Sequence, residues 1–215
     1  RSMQTGAVVE DGTSAPPTLS GDRDVEWAWS LAHLRKDPGD LLDFGAGHGL
    51  LSLAAAFADH RVTALDLEPQ AFAFDDDRIT YLQADVTTVE IADSSFDQIL
   101  NCSTVEHVGL AGRYGSADDP DGDIVAMRRL RAMLRPGGTM VFTIPVGRDG
   151  TYPPYHRVYG AERLPRLIDG FDVVTEEYRA KQGSPRWLRV GRDVALTTQG
   201  SATYYALGLF VLRRA

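Results

Sequence analysis

The run Asp40-Leu41-Leu42-Asp43-Phe44-Gly45-Ala46-Gly47-His48-Gly49 constrains this chain more than any other stretch. A short strand of buried character breaks into alternating glycines, and an apolar helix, Leu50 to Phe57, follows at once. One glycine lets the chain turn sharply at the strand end. Another leaves bare backbone against which a ligand can lie, and a third lets helix and strand pack closely. The pattern puts a nucleotide-like cofactor at the carboxyl end of the first strand of an α/β sheet. A glycine loop alone does not say which cofactor.

The rest of the chain is patterned to match. Asp22 to Leu34 has helical spacing and ends at Lys36-Asp37-Pro38-Gly39. Strands are expected at Arg61 to Leu67, Ile79 to Gln83, Phe96 to Cys102, Thr139 to Ile144, Phe171 to Tyr178 and Thr203 to Leu212. Pro69 to Phe74 reads as one helical turn. Asp123 to Leu134 reads as a long helix capped by Asp123, Arg135-Pro136-Gly137-Gly138 as a turn, and Gly160 to Ile168 as a further helix. Alternating strand and helix predict a doubly wound, mostly parallel sheet with helices on both faces. With 215 residues the chain suits one such domain over residues 22–215, behind a loose arm, 1–21, rich in Gly, Ser, Thr and Pro.

Composition excludes several classes. A formal charge of −8 argues against broad binding to nucleic acid or anionic membranes. Arg186, Arg189 and Arg192 form the best local basic patch, read here as a solvated loop. The single cysteine, Cys102, rules out a disulfide framework within the chain and a thiolate zinc cluster; at the end of an apolar run it reads as a small buried side chain. No apolar run nears the roughly 18 residues that span a bilayer. Asp118-Asp119-Pro120-Asp121-Gly122-Asp123 lacks the ligand spacing of a calcium loop, so no metal is expected. These features lead us to expect a cytoplasmic protein acting on a small molecule, with neither nucleic acid nor membrane as partner.

Two carboxylates narrow the cofactor. Asp66 follows the glycine loop by about 20 residues, at the end of the second strand, where a carboxylate accepts from ribose hydroxyls. Asp85 ends the next strand, where it can accept from the exocyclic amine of an adenine. The glycine loop holds no Lys or Arg, as a phosphate cradle would.

This order of motifs resembles the class I S-adenosylmethionine-dependent methyltransferases. The matching pieces are Leu42 to Gly49, Thr63-Ala64-Leu65-Asp66, Gln83-Ala84-Asp85, Phe96-Asp97-Gln98-Ile99-Leu100 and Leu134-Arg135-Pro136-Gly137-Gly138. Ser103-Thr104-Val105-Glu106-His107-Val108-Gly109-Leu110, Arg113-Tyr114-Gly115, Ile144-Pro145-Val146-Gly147 and His156-Arg157-Val158-Tyr159-Gly160 are similar to a bacterial group of small-molecule and sugar-pathway methyltransferases, many of unassigned substrate. The resemblance implies a Rossmann-like seven-stranded sheet with the last strand antiparallel, and S-adenosylmethionine as cofactor. It further implies that Gly45, Ala46 and Gly47 lie along the methionine portion, with Asp43 near its amino group. Asp66 would bind the ribose beside Leu67, Asp85 and Val86 the adenine, and the Asn101 carbonyl would face the sulfonium.

Methyl transfer is an in-line displacement at an activated carbon, so the protein must chiefly align the reactants and exclude water. A hydroxyl acceptor also gains from a general base. His107, with Glu106 orienting it or acting itself, is the first candidate, and His156 the second. Glu106 and His107 could instead only shape the pocket. Tyr152, Tyr155 and Tyr159 could line an acceptor site or pack a loop. Trp27 and Trp29 could cover the site from the first helix, or pack in the core. The expected activity is O-methylation of a sugar or natural-product hydroxyl. The alternatives are N-methylation of a small molecule, NAD-dependent oxidation, which the G-x-G-x-G spacing disfavours, and a non-catalytic cofactor-binding subunit.

Overall fold

A computed structural model describes residues 17–112 and 118–215. The motif Arg113-Tyr114-Gly115 and most of the expected arm lie outside the described residues. Within the rest of that arm, the Ser20 carbonyl accepts from Lys181 Nζ at 2.7 Å and from Trp187 Nε1 at 3.1 Å.

The first half alternates helix and strand: α1 (Asp22–Ala32), β1 (Asp40–Phe44), α2 (Leu50–Phe57), β2 (Arg61–Asp66), β3 (Ile79–Gln83) and β4 (Phe96–Cys102). A 3-10 turn at Val105–His107 precedes α3 (Gly122–Met133) and β5 (Leu134–Val146). Then come β6 (Gly150–Tyr152), β7 (His156–Val158), α4 (Arg163–Leu167), β8 (Phe171–Ala180), β9 (Leu188–Val190), α5 (Arg192–Thr197) and β10 (Ala206–Arg214).

The main sheet has the order β3-β2-β1-β4-β5-β10-β8-β9. Strands β3 through β5 are parallel, and β10 runs antiparallel between β5 and β8. The chain winds outward from β1 in both directions, so β1 and β4 flank the point where strand order reverses. Ligands of open α/β sheets bind there, beyond the carboxyl ends of the strands. The register brings Asp43 beside Ala64 and Leu100, Phe44 beside Asn101, and Asp66 beside Gln83.

Alternation along β1 builds both sides of the core. Leu42 joins Ile99, Met127, Leu130 and Phe142 beneath α3, and Leu41 joins Leu51, Ala55, Val62 and Leu100 beneath α2. No helix among the described residues is long and apolar enough to cross a membrane.

Among the described residues the sheet has eight strands, not seven. The extra one, β9, adds three residues to the β8 edge, where Tyr178 pairs with Val190. It falls in the stretch read as a solvated basic loop, and Arg189 and Arg192 there meet Glu177 and Glu176 at 3.4 and 3.7 Å. Arg135 to Gly138 is not a free turn but an irregularity inside β5: the register jumps from Phe96–Leu134 to Gln98–Thr139, and Gly137 absorbs it at φ +77°. Pro69 to Phe74 is not helical; Phe72 stacks on Phe74 at 5.0 Å and packs edge-on against Tyr81. Asp121 rather than Asp123 occupies the cap position of α3. Asp123 is buried in the first turn, where it accepts from Tyr159 Oη at 2.8 Å and Arg163 Nε at 2.9 Å.

Candidate active site

The end of β1 turns sharply because its backbone is held by β2. The N–H groups of Gly45 and Ala46 both donate to the Leu65 carbonyl, at 2.8 and 3.3 Å. Gly45, Gly47 and Gly49 all have positive φ, which side chains rarely tolerate. At Gly45 a Cβ would stand 2.3 Å from the Thr104 side chain, whereas at Gly47 it would meet nothing within 4 Å. Gly45 therefore lets the β4 loop approach, and Gly47 leaves backbone open to a ligand.

Above this turn lies a cleft of about 390 Å³. Asp43, Gly45, Ala46, Gly47, Asp66, Leu67, Asp85 and Val86 all line it. The carboxylates are held in distinct ways. Asp43 is buried and accepts from Ser52 Oγ at 2.6 Å; burial pushes its carboxyl up to about 6, although the Ser52 hydrogen bonds oppose the shift. Asp66 accepts from the N–H of Gly47 at 2.9 Å and of Glu68 at 3.0 Å, so the glycine loop itself aims it. Asp85 Oδ1 takes the N–H and the hydroxyl of Thr87, at 2.8 and 2.7 Å.

Asn101 is elsewhere. It is buried behind the cleft, donating to the Thr143 carbonyl at 3.2 Å and accepting the Val105 N–H at 3.1 Å, so it shapes the start of the β4 loop. His107 lines the cleft, and its Nε2 lies 3.7 Å from Glu106 Oε1. Glu106 is buried beside it rather than on the cleft wall. His156 does not join them. Its Nε2 lies 2.9 Å from the Ser201 carbonyl, and its ring packs between Tyr152 and Tyr205. Tyr159 is wholly buried and Tyr152 donates to the Gly200 carbonyl, so neither lines the cleft. Trp27 does line it, while Trp29 packs in the core.

Three contributions were not read from sequence. Glu26 of α1 is fully buried; it accepts from Thr143 Oγ1 at 2.8 Å, from Ser103 Oγ, and from Arg23 Nη1 at 3.2 Å. Burial raises its carboxyl above the usual range, and Arg23 opposes the shift. Arg23 and Ser103 themselves line the cleft. Arg157, 3% exposed, donates to the carbonyls of Glu106, Val108, Gly109 and Asp119 at 3.3, 2.6, 3.0 and 2.9 Å, and so clamps the loop that carries His107. An acidic residue in a helix otherwise spaced for packing was the available signal for Glu26. Arg157 lies in the motif His156 to Gly160, but no local signal marked it as a clamp.

The fold is that of the class I S-adenosylmethionine-dependent methyltransferases. The chain belongs to the family described as "Caenorhabditis protein of unknown function, DUF268", whose model matches residues 67–209. It is 28% identical over 120 residues to an uncharacterized methyltransferase of Mycobacterium tuberculosis, covering 52% of this chain and 55% of that protein. The chain thus spans about half the length of the curated relative it matches. Among solved structures it is similar to the 1,6-didemethyltoxoflavin-N1-methyltransferase of Burkholderia thailandensis, with bound 1,6-didemethyltoxoflavin and S-adenosylhomocysteine: 21% identity, TM-score 0.59, covering 91% of this chain and 79% of that one. It is also similar to the cyclase SpnF, at 16% identity and TM-score 0.65, covering 95% and 85% of the two chains.

Proposed function

We propose that this chain is a methyltransferase that uses S-adenosylmethionine to methylate a hydroxyl of a small molecule, a sugar or other natural product. One observation carries the reading: the ends of β1, β2 and β3 deliver Asp43, Asp66 and the Asp85 turn to a single cleft beside open glycine backbone. The cleft fits this cofactor. Its wall is rich in carboxylates, which suits a ligand cationic at sulfur and free of phosphates, and Gly47 leaves the room that a side chain would fill.

S-adenosylmethionine, once bound, supplies an activated methyl group. The chain's residues do the rest. Asp43 attracts the cofactor's ammonium group, and Asp66 accepts from the ribose hydroxyls. Asp85 and Val86 meet the adenine, and Leu67, 40% exposed, covers it. His107, held by Glu106 and by the clamped loop, takes the acceptor's proton as the carbon–oxygen bond forms. His156 is the weaker base candidate, because its ring is packed away from the cleft.

Calorimetry with S-adenosylmethionine and with NAD tests the cofactor. The first should bind and the second should not; the reverse result would end this reading. A methyl-transfer screen of sugar and natural-product acceptors, with products identified by mass spectrometry, then tests the acceptor. His107→Ala should slow turnover by about 100-fold on a hydroxyl acceptor. N-methylation is the second reading, favoured by the N1-methyltransferase among the structural relatives. It predicts an amine product and little loss in His107→Ala.

A further inference from the structure

The cleft is acidic with one exception. Asp43, Asp66, Glu68 and Asp85 line it, and Arg23 is the single arginine or lysine among the described lining residues. Arg23 sits on the first turns of α1, facing the end of β4. Its Nη1 donates to Glu26 Oε2 at 3.2 Å and to the Cys102 carbonyl at 3.3 Å. Those contacts fix the guanidinium plane from one corner. The side-on edge, Nε and Nη2, donates to no group among the described residues, and the side chain is 46% exposed.

Two other arginines of this protein grip carboxylates with that edge. Arg78 holds Asp76 through Nε and Nη2 at 2.9 and 2.7 Å, and Arg163 meets Asp123 with the same two atoms. The two parallel N–H bonds of this fork match the two oxygens of a carboxylate. Glu26 occupies only the other corner. Ser103 and Thr143 hold it there, so it cannot swing to fill the fork.

We propose that Arg23 is the carboxylate-binding residue of the cleft, presenting Nε and Nη2 to a carboxylate of a bound small molecule. The inference rests on the cofactor reading above where that carboxylate belongs to the methionine portion. There Asp43 and Arg23 would divide the two charges of one amino-acid group. An acceptor's carboxylate presents the same chemistry, so the test separates the two sources.

The first arm begins with the unaltered protein and then repeats the comparison in Arg23→Met. Calorimetry compares S-adenosylmethionine with its decarboxylated form. Binding at least tenfold weaker without the carboxylate, with the difference gone in Arg23→Met, assigns Arg23 to the cofactor. The second arm titrates benzoate and benzamide into the protein, both alone and saturated with S-adenosylhomocysteine. Preference for benzoate, lost in Arg23→Met and kept in part by Arg23→Lys, assigns Arg23 to the acceptor. Absence of discrimination in both arms overturns the proposal, as does discrimination that survives Arg23→Met. If no form of the cofactor binds, the methyltransferase reading fails, and the benzoate arm still decides the role of Arg23.

Discussion

Ser52 Oγ donates to Asp43 Oδ2 at 2.6 Å, across the glycine turn between β1 and α2. The two residues face each other because the turn folds the first stretch of α2 back over the strand end. The bond holds a carboxylate whose position at the strand end leaves it almost no water.

Asp43 should make cofactor binding depend on pH. Its carboxyl is raised from 3.8 to about 6 by burial. An acid raised on folding carries no penalty below its unfolded value, acquires one as pH climbs from 3.8 toward 6, and keeps it above. The free protein should therefore lose about 2–3 kcal/mol of stability across that window. Asp43→Asn should lack this slope in urea titrations run at several pH values. Affinity for S-adenosylmethionine should run the other way, weakening as pH falls through about 6 and the anion is lost, with a flat profile in Asp43→Asn by calorimetry.

Gly45→Ala and Gly47→Ala should part company. Both positions have positive φ, at +75° and +52°, and a Cβ costs about 1–2 kcal/mol in that region. Only at Gly45 does the Cβ also strike a neighbour, the Thr104 side chain at 2.3 Å. Gly45→Ala should thus be the more destabilised of the two by about 1–2 kcal/mol in chemical denaturation. Gly47→Ala should fold more nearly normally and lose cofactor affinity, because its new methyl group occupies the ligand's side.

Arg157→Met should free the loop after β4. Removing the guanidinium leaves four carbonyls without that donor, and each buried polar group left unpaired costs about 1–3 kcal/mol. Limited proteolysis should cut near residues 105–112 in this variant well before it cuts the parent. Saturating S-adenosylhomocysteine should slow that cleavage, because His107 and Val108 line the cleft.

The strand ends were legible in the sequence because the signals there are local. A glycine at Gly45 or Gly47 and an aspartate at Asp66 carry their own backbone consequences, and the parallel sheet converts spacing into position. His156 shows where this stops. It and Arg157 are neighbours in β7, and successive strand residues point to opposite sides. The sequence suggests the histidine as the functional member by chemistry alone. The register turns it toward Tyr205 and turns the arginine toward the cleft loop. Glu26 is a similar case. Its partners, Ser103 and Thr143, are 77 and 117 positions away, so no local pattern announces them. The eighth strand escaped notice for a different reason: three residues at an edge are too few to show alternation.

The clamp by Arg157 has a consequence for the order of assembly on the ribosome. Every residue proposed to touch the cofactor precedes β4 in the chain, yet the four-carbonyl clamp on the loop that bears His107 comes from Arg157 of β7, some fifty residues beyond that histidine. A nascent chain halted after β5 would carry the carboxylates of the cleft and still lack that clamp. On the proposed function, the loop carrying the base is fully braced only when the second half of the chain has been delivered.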